Sequence, residues 1–285
     1  MEYGNLSSRM RAGATALRER FPELNAETIL LQVGTGFDEA GLLDEVCGPV
    51  PLGELFSCPR VASPAGHSLD AQFGRCGAQT VLLVRGRRHL YENLGMDECV
   101  LPVCAASAAG IHRIIQVSAV GSVRSELKPG TVLVVIDMIN NLGASPLAGN
   151  QALLNTPFPD MTHTFSQHLT GEFVNAAAQV GLYPRLGVYQ ANLGPQFETP
   201  AETAIACRNG ADVVGMSLVP EATVAHALGA RVLGIAIVAN QAAGAGGRAC
   251  SHSNVVETVR DASCDVVRAL HRLFRDVELP LEVSP

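Results

Sequence analysis

The chain has 285 residues, 47% of them apolar and 16% charged, with only 5% aromatics and no tryptophan. This is ample material for a buried core, and its richness in small apolar residues and glycine favours α/β packing over an all-β sandwich. A formal charge of −7, with 20 basic residues scattered among 27 acidic ones, argues against a nucleic-acid-binding face, so any anion handled here is small and held by a few local groups.

The eight cysteines (Cys47, Cys58, Cys76, Cys99, Cys104, Cys207, Cys250 and Cys264) form no C-x-x-C pair and no zinc-type set with histidines. Most lie in apolar runs, which predicts free buried thiols. No charged n-region precedes an apolar stretch at the start, and no run is long enough for a bilayer. A cytoplasmic protein without membrane contact is therefore expected.

In chain order, residues 6–20 have the spacing of an amphipathic helix that closes before Pro22. Ile29 to Val33 reads as a strand stopped by Gly34-Thr35-Gly36. A glycine-rich turn after a strand either merely ends it or offers backbone N–H groups to an anion, with the Thr35 hydroxyl beside them. Gly48 to Gly77 is rich in Gly, Pro and polar residues around Ala65-Gly66-His67 and reads as strand pieces and loops. Thr80 to Val84 is a β-branched run ending in Gly86-Arg87-Arg88-His89-Leu90-Tyr91-Glu92. Arginine and histidine close together after a strand either grip an oxyanion or decorate a solvated loop.

Asp97 to Gly110 has helical spacing, and Arg113 to Val117 is a strand entering the small-residue run Ser118-Ala119-Val120-Gly121-Ser122. Val132 to Ile136 is an apolar strand, and Asp137 to Asn155 is expected to be an irregular loop. Phe158-Pro159-Asp160-Met161 precedes a helix from about Thr164 to Val180. From Gly187 to Asn240, three apolar runs end in the polar clusters Gly194–Thr199, Met216-Ser217 and Asn240. Open α/β sheets build ligand sites at such strand ends. Helices over Pro200–Asn209 and Pro220–Leu228, closed by Gly210 and Gly229, separate those runs. Gln241 to His252 is a glycine-rich segment with the composition of a lid, Val255 to Phe274 a last amphipathic helix, and the tail to Pro285 loosely held. Alternating strands and helices without a linker tract predict one α/β domain over residues 1–285.

Several long motifs then occur in one order: G-T-G-F, A-G-H, G-R-R-H-L-Y-E, D-M-I-N-N-L-G-A-S-P-L-A-G-N, G-V-Y, G-P-Q-F-E-T-P-A-E-T and G-A-D-V-V-G-M-S-L-V-P-E. From Glu27 to Phe274 the chain resembles the trimeric purine nucleoside phosphorylases, which share a superfamily with methylthioadenosine phosphorylase. The resemblance implies a central mixed, partly barrel-like β-sheet flanked by helices. It also implies reversible phosphorolysis of a purine (deoxy)ribonucleoside to free base and pentose 1-phosphate, without metal or organic cofactor, inorganic phosphate being a substrate.

By the same resemblance, phosphate falls to Thr35, His67, Arg87, His89, the Ala119 backbone and Ser217. Tyr91, Tyr189 and Met216 take the ribose, and His252 the 5′-hydroxyl. Glu198 and Asn240 take the base, Asn240 as charge builds on the leaving purine, and Phe197 covers its face. Phe158 is expected to close the pocket of a neighbouring subunit in a homotrimer. A carboxylate acceptor with an Asn amide suits a 6-oxopurine such as inosine or guanosine, whose N1 carries a proton. The alternatives are a methylthio-nucleoside phosphorylase, where an Asp takes the place of Asn240, and a non-catalytic purine-binding relative. The chain departs from the family pattern at Ser118 and Ser122, at Thr35 for Ser, at Asn93 for Gly and at Gln241 for the Lys of vertebrate forms.

Overall fold

The β-branched runs fold as strands and the runs of helical spacing as helices in the computed structural model of the chain, which describes residues 5–56, 68–154, 156–246 and 252–276. The strands are β1 Ile29–Val33, β2 Glu45–Pro51, β3 Asp70–Cys76, β4 Gln79–Arg85, β5 Arg113–Ser122, β6 Val132–Asn140, β7 Arg185–Ala191, β8 Val213–Gly215 and β9 Arg231–Gln241. The helices are α1 Leu6–Arg20, α2 Leu52–Phe56, α3 Met96–Ala108, α4 Gln167–Gln179, α5 Pro200–Arg208, α6 Val219–Ala227 and α7 His252–Asp276.

The sheet runs β2-β3-β4-β1-β5-β8-β7-β6-β9, and an added pairing of β5 with β9 closes its second half into a five-stranded barrel. The barrel is mixed: β5 runs parallel to β9 and antiparallel to β8, while β6 is parallel to β7 and antiparallel to β9. The result is one mixed α/β domain, as the alternation of elements predicts.

All five residues of β1 are buried, because helices cover both faces of the sheet. Successive side chains point to opposite faces. Accordingly, Leu30 joins a core with Leu17 of α1, Leu101 of α3 and Val224 of α6. Leu31 joins a second core with Phe173 of α4 and Leu270 of α7.

Three boundaries differ from the sequence reading. The stretch read as strand pieces and loops contains α2, whose Leu52, Leu55 and Phe56 are buried; five residues are too few to show a helical period. β5, read as ending at Val117, continues through Ser122 and takes in the small-residue run. β6 continues to Asn140 although its last residues are largely exposed. There, pairing with β7 through a register shift between Val135 and Asp137 carries the strand, and backbone bonding leaves no hydrophobic trace. Among the described cysteines, Cys76, Cys99 and Cys104 are buried as expected, whereas Cys47 and Cys264 are exposed and Cys207 is half-buried. Among the described residues, no helix is long and apolar enough to cross a membrane.

Candidate active site

The ends of β1, β4, β7 and β8 converge on the middle of β5 and the end of β9 around a cavity of about 250 Å³. Its walls bring together Thr35, Arg87, His89, Tyr91, Ala119, Phe197, Glu198, Met216, Ser217, Asn240 and His252, residues from seven separate segments of the chain.

The cationic side is built around Arg87, which is 3% exposed. Its guanidinium donates to the carbonyls of Val117 (2.8 Å) and Gln32 (3.2 Å), just inside β5 and β1. Its Nε faces Glu221 Oε1 at 3.2 Å, both side chains being at most 2% exposed. Burial pushes the Glu221 carboxyl above the usual carboxylate range, and the Arg87 charge offsets part of that rise. A guanidinium keeps its proton at any working pH, so Glu221 remains as its counter-ion.

His89 is held by Glu92, whose Oε1 receives both the His89 backbone N–H (3.0 Å) and the ring Nδ1 (3.1 Å). Burial alone would raise the Glu92 carboxyl, but the His89 hydrogen bonds and charge, with Arg88 behind them, outweigh it and hold Glu92 below the usual carboxylate range. Fixing Nδ1–H on a carboxylate leaves Nε2 as the ring's second polar atom. Tyr91 stacks on the His89 ring at 4.8 Å between centroids. Burial, followed by the charges of Glu92 and Cys99, pushes its phenol up to about 12, so it acts as a neutral hydroxyl. The turn after these residues is completed by Asn93 in the left-handed region (φ 59°), a conformation Asn tolerates.

The hydroxyls of Ser217 and Ser118 meet in the cavity wall, 3.4 Å apart. The next residue, Leu218, has φ 65° and ψ −53°, and Val219 N–H reaches back to the Ser217 carbonyl at 2.7 Å. This is the positive-φ γ-turn, a strained conformation for a non-glycine residue that clusters at functional sites. It starts α6, so one tight turn delivers Ser217 to the cavity and Glu221 beneath Arg87.

On the other side, Glu198 immediately precedes Thr199, the N-cap of α5, whose hydroxyl and Glu202 form a capping box. Its Oε1 accepts from Asn192 Nδ2 at 2.7 Å. Asn240 lies beyond a bulge where Val120 pairs with Val238 but Gly121 pairs with Asn240. The extra residue, Ala239, breaks strand alternation, so consecutive Ala239 and Asn240 both face the cavity. Gln241, by contrast, donates its amide to the Ser125 carbonyl at 3.0 Å.

Not every expected residue meets the cavity. Tyr189, expected at the sugar, is 0% exposed and stands behind Gly215, where its hydroxyl accepts from Ser217 N–H at 3.3 Å. Any Cβ on Gly215 would come within 2.1 Å of that hydroxyl, so Tyr189 props the wall from behind rather than lining it. Phe158 is 89% exposed and does not line this cavity. His67 lies outside the described residues, as does the second half of the glycine-rich segment before His252. Conversely, Glu221, Glu92, Ser118 and Asn192 carry no role in the sequence reading. A signal for Glu221 exists: a lone carboxylate in the apolar helix V-P-E-A-T-V-A needs a buried cation.

Chemically, one cavity combines a buried guanidinium, an oriented imidazole and the hydroxyls of Thr35, Ser118 and Ser217 with a carboxylate and a primary amide. The first group suits a small oxyanion, the second a heterocycle carrying both a donor and an acceptor.

The chain belongs to the family described as the phosphorylase superfamily, whose sequence profile matches residues 28–275. Purine nucleoside phosphorylase 1 of Geobacillus stearothermophilus is 35% identical over 267 residues, 93% of this chain and 96% of that protein. Purine nucleoside phosphorylase 1 of Bacillus subtilis (strain 168) is 32% identical over 276 residues, 96% and 100% of the two chains. The crystal structure of Schistosoma mansoni purine nucleoside phosphorylase in complex with inosine superposes with a TM-score of 0.87 at 25% identity, covering 96% of this chain and 98% of that one. Within the superfamily the chain is an enzyme of the nucleoside phosphorylase family, a pentosyltransferase.

Proposed function

We propose that the enzyme catalyses reversible phosphorolysis of 6-oxopurine ribonucleosides and 2′-deoxyribonucleosides, inosine and guanosine above all, as a cytoplasmic purine salvage enzyme and a homotrimer. The observation that carries this reading is the single cavity holding Arg87, His89, Thr35 and Ser217 together with Glu198 and Asn240.

In the forward direction the C1′–N9 bond breaks and its electron pair passes to the purine. A phosphate oxygen forms the new bond to C1′, and the proton of hydrogen phosphate is the one the base gains overall. Thr35, Arg87, His89, Ser217 and the Ala119 backbone hold the phosphate, with His67 as a further donor. Tyr91 and Met216 bracket the sugar, and His252 takes the 5′-hydroxyl. Phe197 covers the base, Glu198 accepts its N1–H, and Asn240 bonds O6 and N7 as negative charge develops there. Phosphate is a substrate and the nucleophile, so the proposed reaction uses no metal or organic cofactor and no covalent enzyme intermediate.

The test is purine release from inosine with and without phosphate, beside 5′-methylthioadenosine. Phosphate-dependent release from inosine is expected, with little from the methylthio nucleoside. The reverse preference would replace the substrate reading, and purine binding without turnover would replace the reading as an enzyme.

A further inference from the structure

Behind Glu198 runs a chain of side-chain amides that the reaction outlined above does not use. Asn192 Nδ2 donates to Glu198 Oε1 at 2.7 Å. Asn192 Oδ1 in turn accepts from Asn141 Nδ2 at 2.9 Å and from Gln190 Nε2 at 3.0 Å. The main chain pins the same residues. Asn192 N–H donates to the Gly215 carbonyl at 2.8 Å, tying the end of β7 to the end of β8 one residue before Met216. Asn141 N–H donates to the Ala191 carbonyl at 3.0 Å, tying in the end of β6.

We infer that Asn192 is a positioning residue that holds the Glu198 carboxylate as a fixed hydrogen-bond acceptor and thereby sets the preference for a base with a proton on N1. This rests on the reading of Glu198 as the base contact. The direction of the chain follows from chemistry. An ionised carboxylate only accepts, so Asn192 must turn its NH₂ toward it. Its carbonyl oxygen then faces Asn141 and Gln190, and both of those amides must present N–H. Turning Asn192 over would set oxygen against oxygen at Glu198 and NH₂ against NH₂ behind it. Two donors arriving from two different strand ends therefore lock one polarity into the network, and that polarity terminates in an acceptor.

A purine with N1–H completes this chain. A purine whose N1 is a bare lone pair meets a second acceptor. The amides also remove rotamer freedom from a three-torsion side chain in a loop before substrate arrives, so less ordering remains to be done on binding.

The experiment compares inosine with purine riboside, which lacks both N1–H and O6, in wild type, Asn192→Leu, Asn192→Asp and Glu198→Gln. Leucine removes the amide at similar volume. Asp is isosteric, keeps the packing if leucine does not fold, and sets an acceptor against Glu198. The expected result for Asn192→Leu is a rise of about tenfold in inosine KM, the scale of one lost hydrogen bond to a charged group. The KM for phosphate and kcat/KM for purine riboside should stay within about twofold, so the inosine preference falls about tenfold. Asn192→Asp should lower that preference at least as far. Equal losses on both nucleosides, or an unchanged preference in the Asp variant, would overturn the inference and leave Asn192 structural. Glu198→Gln separates the two levels. If it leaves the preference intact, Glu198 does not read the base and the underlying reading fails. If it abolishes the preference while both Asn192 variants keep it, only the positioning role fails.

Discussion

Asn240 and Glu221 illustrate two ways one side chain can matter to this enzyme. In the proposed reaction, Asn240 acts on charge that exists only while the glycosidic bond is breaking. Its replacement by Ala should lower kcat about a hundredfold, the scale seen when a preorganised transition-state donor is lost, with smaller effects on either KM. Near-normal turnover would remove it from the leaving-group role. Glu221 acts on a charge that is always present. Glu221→Ala would leave the Arg87 guanidinium buried beside two carbonyls and without its counter-ion. Breaking a buried pair from one side costs about 3–5 kcal/mol, which urea denaturation would register, together with a raised KM for phosphate and a nearly unchanged KM for inosine. A loss below about 1 kcal/mol, the range of an exposed pair, would mean that the two side chains do not depend on each other. The contrast also marks what a sequence discloses at this scale. Arg87, His89, Glu198 and Asn240 stand at strand ends inside recognisable motifs, so they could be named before the fold was known. Glu221, Glu92 and Asn192 act through partners that are remote in the chain or unremarkable in composition. Tyr189 shows the converse: its place in G-V-Y suggested the sugar, but strand alternation turns it into the core behind Gly215.

At the scale of elements, the two turns that serve the cationic side are held by close contacts. A Cβ on Gly34 would lie 2.7 Å from Arg87 Nη1. Gly34→Ala should therefore push the guanidinium off its carbonyl anchors and raise the KM for phosphate, while the base side keeps its affinity for inosine or hypoxanthine. Equal weakening of both ligands would show that the turn shapes the whole cavity. The turn after β4 adds a pH signature. Glu92 is held below its ordinary value of 4.5, so its bonds to His89 stabilise the fold above that pH and fade as pH falls through the lower, folded-state value. The difference in melting temperature between wild type and Glu92→Gln should thus be largest near neutrality and shrink below about pH 4.5; a difference that stays constant with pH would exclude this origin. Elements of five or more apolar residues were legible from periodicity alone. The last third of β6 and the Leu218 γ-turn were not, because backbone hydrogen bonds and strain maintain them rather than a hydrophobic pattern.

For the whole molecule, closure of the barrel depends on β5 pairing with β9, more than a hundred residues apart in sequence, a contact that no local signal reveals; only the resemblance implied it. One surface feature is likewise unexplained by the single chain. Phe158 is 89% exposed in the segment after β6, and Leu193 and Phe197 at the end of β7 are 49% and 44% exposed. If Phe158 closes the sugar pocket of the next subunit in a ring, Phe158→Ala should raise the KM for inosine and leave that for phosphate unchanged, with the trimer intact by sedimentation. Complementation then distinguishes donation across an interface from action within one chain. A Phe158→Ala subunit keeps its own Asn240, and an Asn240→Ala subunit keeps its Phe158. Mixed trimers reassembled from the two should contain pockets in which an intact Asn240 meets a neighbour's intact Phe158. Their kcat/KM at low inosine should exceed the mean of the separate variants. No gain in verified mixed trimers would rule out the donated phenylalanine, and an active monomer would rule out the ring.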